Sequence, residues 1–278
     1  MDDQPTKLED VERPDSIGNP RMGWASDVMA EVIHKLGFKY ISLTPGASYR
    51  GLHDSLVNYL GNADPQLILS LHEENAVSVA HGYAKVTDEP LAVAVHANIG
   101  LMHAVMAIYN AWCDRVPMLI LGATGPVDAS KRRPWIEWIH TSKDQASMIR
   151  QFVKWDDQPA SVTAAAESLL RASKITRTAP YAPVYVCLDQ ALQETPLEGE
   201  TVIPDVDRYR PPAPPTPAPD VLREAADALR GAKNPLILPG RGTRGQDAWD
   251  ARVKLAETLN ARVICDTLVA ANFPSRHP

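Results

Sequence analysis

His72-Glu73-Glu74-Asn75-Ala76-Val77-Ser78-Val79-Ala80-His81-Gly82-Tyr83-Ala84 is the run whose reading decides the fold. Ahead of it stands Leu67-Ile68-Leu69-Ser70-Leu71, an apolar stretch that reads as a short buried strand. Inside the run the period changes. Ala76, Val77, Ala80, Tyr83 and Ala84 recur at helical intervals and make one apolar stripe. Glu73 therefore stands where a strand ends and a helix begins, and in an open α/β sheet that edge is where ligands bind. Carboxylates at a helix start are also favoured by the helix dipole alone, so position by itself does not assign Glu73 a task.

The same alternation extends in both directions. Upstream, Val28, Val32, Ile33 and Leu36 predict a helix from Trp24 to Leu36, with Gly37 as its stop. Tyr40 to Leu43 reads as a strand broken by Thr44-Pro45-Gly46, and 49–60 as a second helix. The strand before the deciding run spans Gln66 to Leu71, and the helix within it 74–86. Downstream, Leu91 to Val95 is a buried strand, and 99–113 an apolar helix with Ala104, Ile108 and Ala111 facing inward. Residues 117–121 form a strand closed by Gly122, and 131–150 an Arg- and Trp-rich segment. A short strand at Phe152 to Trp155, an Ala-rich helix over 161–176 and a closing strand from Pro183 to Leu188 complete the series. Strands alternating with helices at these intervals imply an α/β fold, a mostly parallel sheet with helices on both faces.

Residues 1–21 read as a polar N-terminal tail and 22–190 as the first domain. Prolines crowd 191–219, including Pro211-Pro212-Ala213-Pro214-Pro215, which predicts a stiff linker. The βα rhythm resumes over 220–278 with a helix at 220–230, a strand at 235–238, a turn at Gly240-Arg241-Gly242, a helix at 246–259 and a strand at 262–265. That is the start of a second α/β domain. One turn after one strand is too little for a dinucleotide fingerprint.

Composition narrows the class. The 278 residues suit one large or two ordinary domains, and 45% apolar residues suffice for a core. A net charge of −6 and a pI of about 5.8 argue against a nucleic-acid binder. Cys113, Cys187 and Cys265 lie far apart and read as buried core thiols in a reducing compartment, not as a metal site. No apolar run reaches membrane-spanning length and the N-terminus has no signal-peptide pattern, so the expectation is a cytoplasmic protein without membrane partners.

Glu-x-x-Ala-x-x-Ala-x-Gly-Tyr-Ala, from Glu73 to Ala84, resembles the pyrimidine-binding domain of thiamine diphosphate enzymes, the group of acetolactate synthase, benzoylformate decarboxylase and pyruvate decarboxylase. The order of a pyrimidine domain, a linker and a central domain resembles the same family, as does Phe-Pro-x-x-His-Pro at the chain's end. The resemblance implies a 2-oxo acid decarboxylase or carboligase. It implies thiamine diphosphate, with Mg2+ held by a diphosphate-binding domain whose Gly-Asp-Gly motif this sequence lacks, and no metal ligand here. Central domains of this family hold FAD in some enzymes only, and this sequence gives no ground to infer it. The implied partners are a 2-oxo acid substrate and a homodimer or homotetramer, or a separate subunit carrying the missing domain.

By the same resemblance Glu73 bonds the aminopyrimidine ring. Thiamine chemistry needs a carbanion, and the cofactor's own amine is the base, active only while a proton is held on the opposite ring nitrogen. A desolvated carboxyl is a weak enough acid to share that proton. His96-Ala97-Asn98-Ile99-Gly100 is similar to the loop of benzoylformate decarboxylase whose histidine relays protons, a task an imidazole near neutrality suits. Pro45-Gly46 resembles the turn that lets backbone approach the cofactor, since glycine has no side chain. Ala47 replaces the substrate-contacting serine of the benzoylformate enzyme, with Ser48 next to it. Gly100 keeps its place in the cofactor loop, while His103 stands where the family has Asn. His140-Thr141-Ser142 stands where acetolactate synthases carry Phe-Gln-Glu. The competing expectation is a non-catalytic binding or regulatory paralogue.

Overall fold

Six strands, all parallel, form the sheet on which the first half of the chain is built. They are β1 (Tyr40–Leu43), β2 (Gln66–Leu69), β3 (Leu91–Val95), β4 (Met118–Thr124), β5 (Asp156–Asp157) and β6 (Pro183–Asp189), in the order β2-β1-β3-β4-β6-β5. The structure is a computed structural model and describes residues 14, 21–199, 201–243, 245–266, 269 and 272–278. The expected tail, 1–21, lies outside the described residues apart from Pro14 and Arg21.

The connecting helices are α1 (Ala25–Lys35), α2 (Arg50–Asp54, continued by a π-helical turn Ser55–Tyr59), α3 (Glu73–Thr87), α4 (Ala97–Cys113), α5 (Val162–Thr176) and α6 (Gln190–Gln193). Their apolar stripes divide between the two faces of the sheet. Side chains alternate along a strand, so Ala92 and Ala94 of β3 face one way, and Leu91, Val93 and Val95 the other. The first face buries residues of α1, α2 and α5, among them Met29, Ile33, Leu52 and Leu169. The second buries Ala76, Val77 and Ala80 of α3 and Leu101, Ala104 and Ile108 of α4. Helices thus cover both faces, as the alternation of periods implies.

Several local expectations need correction. The run Leu67 to Leu71 is not a buried strand: Leu67 is buried, but Leu69 is 65% and Leu71 98% exposed. β2 is an edge strand and ends at Leu69. Gly122 does not close β4, which continues to Thr124. The glycine makes room for the Tyr185 ring, which a Cβ there would strike. Phe152 to Trp155 is not a strand; a 3-10 turn covers Arg150–Phe152 and the strand is Asp156–Asp157. Of the three cysteines only Cys187 is buried; Cys113 and Cys265 are exposed. The first half of the expected linker lies on the sheet domain: Leu197, Ile203, Val206 and Tyr209 pack against its core.

The chain divides into two units, one of residues up to 84 with 89–211, the other of 85–88 with 212–278. The second holds α7 (Pro219–Gly231), β7 (Leu236–Ile237), α8 (Gln246–Leu259) and β8 (Arg262–Val263), with β7 and β8 paired in parallel. Pro219 opens α7, where its missing N–H costs no hydrogen bond, and Asn260 ends α8 in the left-handed region at φ +47°. Among the described residues no helix is long and apolar enough to cross a membrane.

Candidate active site

The strand order fixes where to look. From β1 the chain moves outward to β2, then returns across β1 to place β3 on its other side and proceeds to β4. The direction of winding reverses between β1 and β3, and the crevice beyond the carboxyl ends of two such strands is the usual ligand site of an open α/β sheet. Thr44, Pro45 and Gly46 follow β1, Glu73 follows β2, and His96 follows β3.

One group of side chains gathers on the carboxylate. Glu73 opens α3 and is 7% exposed. Gly100, in the first turn of α4, lies against it; a Cβ there would come within 2.6 Å of Glu73 Oε1. One turn further along α4, His103 Nδ1 lies 3.4 Å from Glu73 Oε2. The His72 ring stacks on His103 with centroids 4.7 Å apart and planes 15° from parallel.

A second group gathers on His96. Ser48 Oγ lies 2.9 Å from His96 Nδ1 and accepts a hydrogen bond from the Ala97 N–H at 3.1 Å. With that acceptance made, the serine has one proton to give; donated to Nδ1, it leaves the imidazole proton on Nε2. Gly46 packs on the ring, where a Cβ would stand 2.5 Å from Cγ. Ala97 adopts φ +47°, a left-handed turn from the end of β3 into α4. The His140 ring lies 4.8 Å from that of His96, centroid to centroid, and Tyr49 meets it edge-on at 6.5 Å. Burial and the neighbouring His140 push the His96 imidazole below its ordinary value, against an opposing pull from Glu73. Burial and the Glu73 charge hold the Tyr49 hydroxyl well above the usual range for a phenol. Gln193, brought in by α6, donates to Ser48 O and accepts from Leu52 N, which fixes the loop after β1.

The structure therefore brings Glu73, Gly100 and His103 together, and Gly46 with His96. Pro45 is exposed, two residues past the end of β1. Tyr49 and His140 were not singled out for this place by sequence reasoning. His140 arrives on the segment after β4, which Glu137 steadies by accepting from the backbone and guanidinium of Arg133, and no local pattern marks its proximity to His96. A cavity of about 710 Å³ lies elsewhere, between α1, α2 and α6; in its lining Asp27 accepts from Ser55 and Arg50 pairs with Glu194. Among the described residues no group of three or more His, Cys, Asp or Glu side chains could hold a metal ion.

Four buried oxygens at these strand ends, Thr44 Oγ1, Tyr49 Oη, Asn98 Oδ1 and Thr124 Oγ1, have no hydrogen-bond partner. Buried polar atoms are normally paired, so the edge offers hydrogen-bonding capacity that the described residues leave unused. With a buried carboxylate, a glycine that removes a side chain beside it and a second that does so beside His96, this edge fits a small polar heterocycle.

Comparison with known proteins gives a consistent answer. Residues 23–148 match the model of the thiamine pyrophosphate enzyme N-terminal TPP binding domain, and 222–278 that of the thiamine pyrophosphate enzyme central domain. Benzoylformate decarboxylase of Pseudomonas aeruginosa is 27% identical over 217 residues, which are 77% of this chain and 40% of that protein. The acetolactate synthase large subunit of Lactococcus lactis is 25% identical over 256 residues, 91% of this chain and 42% of that one. The solved structure of benzoylformate decarboxylase from Polynucleobacter necessarius shares the fold, with a TM-score of 0.77 at 24% identity, over 92% of this chain and 46% of that one. The chain spans about two fifths of the length of these curated relatives.

Proposed function

This chain belongs to the thiamine pyrophosphate enzymes, and from that membership we propose that it supplies the aminopyrimidine-binding half of a 2-oxo acid decarboxylase or carboligase. The observation that carries the reading is the buried Glu73 carboxylate facing a side-chain-free Gly100 at the reversal of the sheet. When bound, thiamine diphosphate supplies the nucleophilic carbon and the electron sink that cleavage beside a carbonyl requires.

The chain's own residues have narrower tasks. Glu73, buried at the start of α3, would share a proton with the ring nitrogen opposite the cofactor's amine. Gly46 and Gly100 let ring and backbone approach. His96, with Nδ1 occupied by Ser48, presents its Nε2 proton and acts as the donor and acceptor of protons on the substrate side. Burial keeps it neutral at pH 7, which suits a donor that must later take its proton back. Mg2+ and the diphosphate would be held by residues outside these 278, on a facing subunit, so the working unit is an oligomer: a homodimer, a homotetramer or a hetero-oligomer. The polar composition and unpaired thiols suit the cytoplasm.

Calorimetry of the 278-residue chain with thiamine diphosphate and Mg2+ tests the division of labour. The ring alone makes few contacts, so the expected affinity is millimolar, about 4 kcal/mol. Micromolar, Mg2+-dependent binding would place the diphosphate ligands in this chain and overturn the half-site reading.

A further inference from the structure

We propose that His103 is a positioning residue for Glu73, and that His72 is the platform that holds it there. The proposal rests on the reading of Glu73 as the cofactor's partner, and deepens it by naming what orients the carboxylate.

The Glu74 N–H donates to His72 Nδ1 at 3.2 Å, which fixes the plane of the His72 ring and assigns its proton to Nε2. His103 lies on that plane at 4.7 Å, nearly parallel. A ring held on one face by stacking has little freedom left to turn. The held ring points Nδ1 at Glu73 Oε2, 3.4 Å away; a nitrogen facing a carboxylate is the one that carries the proton. Gly100, one turn earlier on α4, lies by the other oxygen, Oε1. The carboxylate is thus held at Oε2 by a side chain on α4 while Oε1 stays on the side that the glycine leaves open. His103 is half exposed and Glu73 is buried, so the histidine reaches inward from the rim of the crevice.

A long side chain at a helix start otherwise has several staggered rotamers, only some of which would meet a ring in the crevice. Selecting one in advance removes an ordering cost from binding. His72 and His103 flank Glu73 from its own helix start and from the facing helix, while Tyr49 and His96 feel the Glu73 charge.

The test uses the 278-residue chain labelled with carbon-13 at glutamate carboxyls, with thiamine as the probe. Without ligand, His103→Ala should move the Glu73 carboxyl resonance and Glu73→Gln should move the His103 ring resonances. If neither moves, the positioning inference is overturned whatever the cofactor is. With thiamine added, His103→Ala should need about fivefold more ligand for the same Glu73 response, in line with losing one charged hydrogen bond at a half-exposed site. His103→Asn keeps a donor and should return to within about twofold of the native chain, whereas a merely space-filling role would make it no better than alanine. His72→Ala should fall between. A native chain whose Glu73 ignores thiamine, while the ligand-free coupling to His103 persists, would overturn the cofactor reading and leave the positioning one standing.

Discussion

The two ends of the same sheet are built on opposite terms. At the end where strands begin, Thr176 Oγ1 accepts from the Met118 N–H and donates to Ala182 O, and Lys154 Nζ donates to the carbonyls of Ile175, Thr178 and Pro180. At the end where strands finish, Thr44, Tyr49, Asn98 and Thr124 each bury an oxygen without a partner. Gln145 Oε1 and Ser168 Oγ are the other unpartnered oxygens among the described residues, so the strand finish holds most of them. An unmet buried polar group costs stability. Its concentration at one end shows a molecule that closes its own hydrogen bonds where it needs only to hold together, and leaves them open where a ligand is expected.

The two ends should differ most at Glu73. With the diphosphate-binding half supplied, Glu73→Gln should slow turnover by a factor on the order of a hundred or more, with Glu74→Gln near native as control. Thermal unfolding should barely change, because the side chains are nearly isosteric. Native-like turnover would remove Glu73 from the chemistry, and a large fall in melting temperature would make this end structural like the other.

Thr176→Val should do the reverse. It leaves the buried Met118 N–H without its acceptor and should cost about 2 kcal/mol in urea unfolding, with thiamine affinity unchanged. Tyr49→Phe sharpens the contrast at smaller scale. Removing a buried hydroxyl that has no partner should leave stability unchanged or raise it by up to about 1 kcal/mol, while weakening thiamine binding. A clear loss of stability would mean that the hydroxyl is already satisfied.

The smallest expected effect is a pH dependence. Burial and His140 hold the folded-state His96 below the ordinary value of 6.5. Its neutral form thus contributes stability that is fully present above 6.5, and that stability is lost as pH falls through the folded value. His140→Leu removes the like-charged neighbour and should raise the His96 midpoint in a proton NMR titration, while burial still keeps it below 6.5. An unchanged midpoint would show that the two rings do not interact.

Much of this architecture was legible in the sequence, for identifiable reasons. The unbroken apolar run of β3 and the helical stripe of α3 are local patterns, and local patterns locate strand ends, hence the positions of Glu73 and His96. Lateral order in the sheet is not local. Nothing in Leu67 to Leu71 says that β2 lies at the edge, so its leucines were read as buried. Gly122 was read as a stop because the ring that needs its space, Tyr185, comes from a distant strand. Asp156-Asp157 carries no strand propensity and becomes β5 by pairing with Tyr185 and Val186. In the candidate site the same limit holds: Tyr49 and His140 reach His96 only because three separate loops meet there.

Gln193 gives the site a temporal order. Glu73 meets His103 across 30 positions of chain, and Ser48 meets His96 across 48, so these contacts can form once β1 to β3 have associated. The bonds that fix Ser48 come from Gln193, 145 positions away, after the closing strand β6 has docked. Contacts of large sequence separation carry the greater loop-closure cost and tend to form late. On synthesis both halves of the crevice can be shaped while the chain is still emerging, and the imidazole half is locked only when α6 arrives.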